Sequence, residues 1–228
     1  SRTLLIYLDP KCNASTGVGL SAAERDVSSY DLLINQHPLS ACVSSTSIPG
    51  LDLVPATVDL SGAEVELVTM EERTFRLRKA LAGHGGHDIC FLDCPPSLGL
   101  LTLNALCAAD FLLVPLQCEF FALEGLSQLL QTVEQVQQRF NPALAIIGIG
   151  LTMFDRRNRL TDQVADDVRD CLGQLVFESV IPRNVRLSEA PSHGLPALIY
   201  DHACSGSRAY MALARELIGR LPAERMAA

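Results

Sequence analysis

The chain has 228 residues, of which 48% are hydrophobic and 5% are aromatic, and its formal net charge is −8. A chain of this length can bury a sizeable aliphatic core, and its acidity argues against a uniformly basic nucleic-acid binder. No run of 18 apolar residues occurs, which argues against a membrane-spanning helix, and the eight scattered cysteines are typical of a reduced, cytoplasmic protein.

Short apolar runs bounded by turn-forming residues predict strands along the whole chain. These strands cover residues 3–8, 51–55, 88–93, 110–116, 144–152 and 176–181. Helical periodicity and capping residues predict helices between and after them. These helices cover residues 28–33, 70–81, 98–108, 123–140, 161–172 and 206–221, with Ser28 and Thr161 as caps.

The alternation of these strands and helices predicts an α/β fold with a mainly parallel sheet, because parallel neighbours need long crossover connections. The helix over residues 123–140 has the clearest pattern, since Leu126, Val133 and Val136 recur on one face. No repeat, low-complexity tract or linker interrupts the order of elements. We therefore predict that residues 1–228 form a single domain.

Two aspartates stand at the ends of predicted strands. Asp9 follows the first strand, and Asp93 ends the strand over residues 88–93. Because the carboxyl ends of parallel strands face one crevice, these acids are expected at the same edge of the sheet. One could hold Mg²⁺ while the other orients an attacking water. The alternative is that each aspartate only caps the loop after it.

A glycine-rich phosphate-binding loop is not found in the printed sequence. The pattern Gly-x-x-x-x-Gly-Lys-Ser/Thr does not occur, and neither of the two lysines, Lys11 and Lys79, follows a glycine. Gly17 and Gly19 form a glycine pair without a lysine, which is a weak signal. The residues alone therefore leave the phosphate chemistry open.

The last part of the chain is more basic than the rest, with 11 arginines against 10 acidic residues from Arg139 onwards. Five of these arginines follow two neighbouring predicted strands: Arg156, Arg157, Arg159, Arg183 and Arg186. Such a patch could contact DNA phosphates without reading bases. The alternative, which charge alone favours, is a solvated loop whose arginines pair with Asp155 and Glu189.

A spacing that resembles a zinc site occurs at His84, His87, Cys90 and Cys94. Cys90 lies inside a predicted strand and Cys94 follows its last residue. Because successive strand residues point to opposite faces, the four groups are not expected to converge. We interpret the spacing as incidental.

Several segments together resemble the ParA family of partition ATPases, in particular its Soj-like chromosomal branch, from about residue 3 to about residue 221. The segments are LDPKCNASTG, LDLVPATVDLSGAEVEL, FLDCPPSLGLLTLNAL, LVPLQCEFFALEGLSQLL, LTMFDRRNRL and VIPRNVRLSEAPSHGLPALIYD. The last two are specific, because generic P-loop proteins lack them.

The resemblance implies a P-loop NTPase-like three-layer α/β fold with helices on both faces of the sheet. It also implies an ATP-dependent homodimer with Mg²⁺ and nucleotide between the subunits, bound non-specifically to DNA in the nucleoid. A ParB-like centromere-binding protein would stimulate hydrolysis and so drive segregation of a chromosome or plasmid.

The resemblance also carries roles onto individual positions, which reverses the preference for a solvated arginine loop. The implied roles are hydrolysis for Asp9, Mg²⁺ binding for Asp93, DNA binding for Arg157 and Arg186, and packing against adenine for Pro182 and Met153.

The departures from the family pattern all fall at the nucleotide end. The family begins with a strand and a KGGVGKT loop, and the printed chain starts after them, so we expect the first strand and the P-loop to be missing. Tyr7 stands where the motif has its first aspartate, and Lys11-Cys12 replace Gln-Gly. Losing several charge-assisted contacts of about 1.5–3 kcal/mol each predicts weak ATP binding and impaired activity.

Two alternatives to a working ATPase follow from these departures. The first is a P-loop-less homologue that acts as a DNA- or partner-binding module without enzymatic activity. The second is a MinD-like membrane-associated ATPase, which needs a basic amphipathic C-terminal helix. Residues 221–228 are short and contain Pro222, so we expect no membrane binding.

Overall fold

A computed structural model describes residues 2–11, 15, 17–20 and 25–222 of the chain. These residues form two compact units, one comprising the chain up to Ala109 with Pro191–Pro196, and the other Asp110–Ala190 with the chain from Ala197 onwards. In the described part of the chain, no helix combines the length and the hydropathy needed to cross a membrane.

The first unit contains a four-stranded sheet whose order is β2-β3-β1-β4. Its strands are β1 (Thr3–Tyr7), β2 (Ser44–Ser45), β3 (Leu51–Val54) and β4 (Ile89–Asp93). The central strand β1 runs parallel to both β3 and β4, and β2 pairs antiparallel with β3. The register places Leu5 beside Leu53 and Phe91, so the carboxyl ends of β1, β3 and β4 share one edge.

The helices described in the first unit include α1 (Ser29–Leu33), α2 (Leu39–Cys42), α3 (Leu60–Glu66), α4 (Arg76–Leu81) and α5 (Leu100–Ala108). The core between helices and sheet is aliphatic: Leu4, Leu53, Leu67 and Leu77 have no exposed surface. Burial of each such side chain contributes about 1.5–3 kcal/mol, which fixes the sheet that positions the acidic residues.

The second unit is built on two parallel strands, β5 (Phe111–Gln117) and β6 (Ala145–Thr152). Its helices are α6 (Ala122–Arg139), α7 (Arg159–Leu172), α8 (Val185–Glu189), α9 (Ala197–Tyr200) and α10 (Ser205–Arg220). Leu126, Val133 and Val136 of α6 are buried, as their spacing predicts. The α/β class with mainly parallel pairing is confirmed.

The strand predicted over residues 176–181 is wrong. This segment touches β6 through isolated bridges at its two ends, Val176 to Ile149 and Pro182 to Phe154. Between the bridges, the backbone N–H groups of Glu178 and Ser179 donate to the Glu216 carboxylate of α10 at 2.9 Å. The N–H groups of Phe177 and Ile181 still donate to the Ile149 and Leu151 carbonyls of β6. The two N–H groups between them go to a helix side chain instead, so no continuous ladder forms.

The helix predicted over residues 70–81 begins only at Arg76, because the preceding residues form turns and Glu72 has the left-handed φ of 49°. The prediction that Thr161 caps the helix over residues 161–172 is also wrong. Asn158 caps α7, with its Oδ1 accepting from the backbone N–H of Leu160 at 3.1 Å. The cap predicted at Ser28 is confirmed, because its Oγ accepts from the Tyr30 N–H at 3.2 Å. Asp31 also accepts from the Ser28 N–H, which completes a capping box.

Candidate functional site

Asp9 and Asp93 lie at the same edge of the first unit's sheet, as the sequence predicts. Tyr7 of β1 pairs with Asp93 of β4, and the N–H of Leu8 donates to the Asp93 carbonyl at 2.8 Å. Asp9 therefore follows β1 one residue beyond this last hydrogen bond. Adjacent parallel strands bring both acids to the carboxyl edge, where ligands of open α/β sheets bind.

The carboxylate of Asp93 is affected by its surroundings and by the charge of Asp9. Desolvation by the surrounding protein raises the pKa of Asp93, and the negative charge of Asp9 raises it further, although the Asp93 side chain is exposed at the edge. Burial and the charge of Asp93 also raise the pKa of the neighbouring Cys94 thiol to about 12. A cation would relieve the repulsion between the acids, and carboxylate oxygens are ligands that Mg²⁺ prefers. The residues present therefore fit Mg²⁺.

The loop-capping alternative is observed at Asp9. Its Oδ1 accepts from the backbone N–H of Lys11 at 3.0 Å, which closes a turn directly after the strand. This contact fixes the orientation of the Asp9 side chain. Capping by one oxygen and a role in chemistry are compatible, because a carboxylate has several acceptor positions.

The loop after Asp93, residues 94–99, is held from two sides. Thr102 Oγ1 donates to the Ser97 carbonyl at 2.6 Å. Glu64 of α3 accepts from the N–H groups of Leu100 and Leu101 at 2.8 and 3.2 Å, which caps the start of α5. Glu64 is not among the predicted site residues, because no helix is predicted around it. The apolar spacing of residues 60, 63 and 67 would have indicated one.

Met153 and Pro182, the residues expected beside adenine, are neighbours in the second unit. Phe154 pairs with Pro182, and its N–H donates to the Ile181 carbonyl at 3.1 Å. Met153 follows β6 directly, has a left-handed φ of 54° and is 44% exposed. This conformation is uncommon for a non-glycine residue, so the backbone there is locally strained. The two side chains can present an apolar surface to a planar ring.

The two arginines assigned to DNA are both paired with carboxylates. Arg157 is 88% exposed and forms two side-chain hydrogen bonds with Asp155, at 3.0 and 2.9 Å. These bonds, with the Arg157 N–H, lower the pKa of Asp155 to about 2. Arg186 contacts Glu189 at 3.0 Å and Asp201 at 3.6 Å. The pairs Arg157–Asp155 and Arg186–Glu189, which the alternative of a solvated loop predicts, are therefore both observed.

The four residues of the zinc-like spacing do not converge on one point in the described part of the chain. The ring nitrogens of His84 and His87 lie 2.8 Å apart, and His87 Nε2 lies 2.8 Å from Asp52 Oδ2. Cys90 is exposed on β4. Among the described residues, no group of three or more His, Cys, Asp or Glu side chains is arranged to hold a metal ion.

Comparison with known sequences gives a consistent picture. Residues 1–146 match a family described as an AAA domain. The chromosome partitioning protein ParA of Caulobacter vibrioides is 53% identical over 222 residues, which cover 96% of this chain and 83% of that protein. The sporulation initiation inhibitor protein Soj of Bacillus subtilis is 47% identical over 217 residues, covering 95% and 86%.

Solved structures agree with these sequences. The cobyrinic acid a,c-diamide synthase of Mycobacterium smegmatis, crystallised with an ATP analog and magnesium, superposes with a TM-score of 0.84 at 36% identity, covering 99% of this chain and 85% of that one. The cell division ATPase MinD of Pyrococcus furiosus has a TM-score of 0.76 at 20% identity, covering 96% and 86%, and shows the shared fold.

Proposed function

Because the chain belongs to the ParA/Soj family of chromosome-partitioning ATPases, we propose that it is a partition protein that hydrolyses ATP. It dimerises with ATP, binds DNA without sequence preference, and hydrolyses ATP faster when a ParB-like partner is present. The observation that carries this proposal is the pair of carboxylates at adjacent strand ends, where desolvation and the charge of Asp9 raise the pKa of Asp93.

In this proposal the chain's own residues divide the work. Asp93 holds Mg²⁺, and the bound ion neutralises charge on the phosphates. Asp9 accepts a hydrogen bond from the attacking water and orients it, while its other contact to Lys11 keeps the side chain in place. The family resemblance assigns Met153 and Pro182 to adenine, and the pairing of Phe154 with Pro182 keeps these two residues together within the second unit.

Hydrolysis of ATP with purified protein tests this assignment. We expect Asp93→Asn to lower kcat about 100-fold or more, because the amide removes the charge that holds the cation. Asp88→Asn is the matched control, since Asp88 precedes the same strand at its other end and an amide oxygen can still accept from the Arg2 N–H. Equal kcat values for Asp93→Asn and the unchanged chain would contradict the proposal.

The ATP dependence of dimerisation and DNA binding separates the partition ATPase from the binding module. We expect light scattering to detect dimers, and gel shifts to detect DNA complexes, only with ATP and Mg²⁺. DNA binding that is the same without ATP would instead support a module without enzymatic activity. The weak ATP affinity predicted from the sequence stays a prediction, and calorimetric titration with ATP measures it.

A further inference from the structure

The segment that leads from Asp93 to α5 has little support of its own. Residues 94–99 form no helix or strand, and Pro95 and Pro96 have no backbone N–H with which to fix the chain. This segment, which we call the Asp93 loop, is positioned by α5, because Thr102 of that helix donates to the Ser97 carbonyl and the loop runs directly into the start of the helix.

Glu64 makes the contacts that fix the start of α5. Its two carboxylate oxygens accept from Leu100 and Leu101, one oxygen to each N–H, at 2.8 and 3.2 Å. The first N–H groups of a helix have no partner within the helix, and a negative charge there is favourable. Glu64 lies 36 residues earlier in the chain, so this cap joins two elements that are distant in sequence.

The helix that carries Glu64 is itself well supported. Leu60 and Ala63 of α3 have no exposed surface, and the same holds for Leu67 directly after the helix. Glu66, two residues after Glu64, accepts from the Tyr30 hydroxyl with both oxygens at 3.0 Å. The backbone at Glu64 is therefore fixed against the core, and a long carboxylate there can set the position of another segment.

The absence of a side chain at Gly99 leaves room for the Glu64 carboxylate. It is the residue before α5, and a Cβ placed on it would collide with the Glu64 carboxylate. Its φ of −83° is open to any residue, so the space and not the backbone conformation requires glycine. Gly99 and Glu64 therefore act as one unit.

We infer that Glu64 is a positioning residue for the proposed hydrolysis, which holds the Asp93 loop in place by capping α5. This inference rests on the proposed function for its kinetic consequence, but not for its structural one. Glu64 does not touch the reacting groups. It fixes where the chain leaves Asp93, and a small displacement of a group that holds a metal ion is expected to slow the chemical step more than it weakens substrate binding.

Glu64→Gln tests the inference, and Glu66→Gln is its matched control on the same helix with the same loss of charge. The glutamine oxygen can accept from only one of the two N–H groups. We expect the amides of Leu100 and Leu101 to exchange about tenfold faster in Glu64→Gln, and kcat to fall about tenfold with KM for ATP changed less than about twofold. Glu66→Gln should leave both readouts unchanged.

A double-mutant cycle distinguishes the loss of the Glu64 contact from a general destabilisation of the fold. Gly99→Ala should lower kcat in the unchanged chain, because its Cβ displaces Glu64. In the Glu64→Ala background the same substitution should have little further effect, since the colliding carboxylate is gone. Additive effects of the two substitutions would overturn the inference, and thermal unfolding of each variant verifies that it is folded.

The two proposals fail in different ways. A chain that hydrolyses no ATP under any condition contradicts the proposed function, and amide exchange alone then decides the role of Glu64. Equal exchange at Leu100 and Leu101 in Glu64→Gln and Glu66→Gln overturns the inference, whether or not the chain is an ATPase. Equal kcat in these two variants of an active enzyme also overturns it.

Discussion

Arg157 and Arg186 carry their positive charge beside carboxylates, and DNA phosphates must compete with those partners. Asp155 has a pKa lowered to about 2, so it is ionised at neutral pH and the pair with Arg157 is intact. Because the pKa of Asp155 is lower in the folded chain than in the unfolded chain, where it is about 4, the ionised Asp155 stabilises the fold above about pH 4. This stabilisation is lost as the pH falls through about 2. At neutral pH, the binding of Arg157 to DNA is therefore limited by competition between Asp155 and the phosphates, and not by a change in the protonation of Asp155.

At the residue scale, we predict that the double substitution Arg157→Ala with Arg186→Ala weakens DNA binding. It should also reduce the salt dependence of binding, because a protein that makes fewer phosphate contacts releases fewer counterions. Asp155→Asn should have the opposite effect. Because an exposed ion pair is weak, freeing Arg157 should strengthen binding by no more than about fivefold. Fluorescence anisotropy with random-sequence DNA at several salt concentrations measures both effects.

The control for this prediction is Arg215→Ala, which removes an exposed arginine from α10 in the same unit. It should leave the DNA affinity nearly unchanged, because Arg215 lies outside the two loops that follow β6 and the segment 176–181. If Arg215→Ala weakened binding as much as Arg157→Ala with Arg186→Ala, net charge and not a specific patch would govern binding.

At the scale of elements, the segment 176–181 depends on α10 for its position. Arg220, the last residue of α10, donates to the carbonyls of Ile147, Leu175 and Val176 at 3.0–3.1 Å. Its guanidinium also lies 4.0 Å from the centre of the Phe177 ring. Glu216 belongs to the same arrangement. Desolvation acts to raise its pKa, but hydrogen bonds from Ser179 and Glu178 outweigh that effect and leave the pKa lowered.

We predict that Arg220→Lys lowers the free energy of unfolding by about 1–3 kcal/mol, because an ammonium group cannot reach three carbonyls in the geometry of the guanidinium fork. Urea unfolding measures the change. Arg215→Lys is the matched control on the same helix, and as an exposed substitution it should stay within about 0.5 kcal/mol of the unchanged chain. Equal effects of the two substitutions would mean that the carbonyl contacts contribute nothing.

These elements also show what local sequence can predict. The strands β1, β4, β5 and β6 appear in the sequence as short apolar runs bounded by turn-forming residues, and their predicted bounds agree with the structure within one residue. The segment 176–181 has the same composition, yet the N–H groups of Glu178 and Ser179 donate to Glu216, about 40 residues later in the chain, and interrupt its pairing with β6. No local pattern encodes such a partner.

The residues of the candidate site also divide into those that the sequence predicts and those that it does not. Asp9 and Asp93 could be predicted together because strand ends and parallel pairing follow from the sequence pattern. Glu64 could not, because its role depends on a contact with α5 that only the packing of α3 creates. The ion pair of Arg157 with Asp155 is a contact between near neighbours, and it was foreseen as an alternative from charge alone.

At the scale of the whole molecule, the single domain predicted from the sequence has a testable consequence. The chain passes more than once between the two units, since Pro191–Pro196 belongs to the first unit while α8 before it and α9 after it belong to the second. A chain threaded in this way is expected to unfold cooperatively. A core substitution in the first unit should then reduce the stability of the second unit as well.

Asn104 provides the substitution for this test. It has no exposed surface, its Nδ2 donates to the carbonyls of Arg73 and Leu100, and its Oδ1 accepts from the Leu77 N–H at 3.2 Å. Asn104→Ala leaves buried backbone groups without partners, which we expect to cost about 2–4 kcal/mol. Hydrogen exchange should report this loss equally in β1 and in β6.

The matched control is Asn35→Ala, which removes an exposed asparagine of the first unit that donates to Asp31 at 2.9 Å. It should change the free energy of unfolding by less than about 0.5 kcal/mol in either strand. If Asn104→Ala lowered protection in β1 and left β6 unchanged, the two units would unfold separately and the prediction of a single domain would be wrong. Equal loss in both strands is expected, because global unfolding then exposes every slowly exchanging amide.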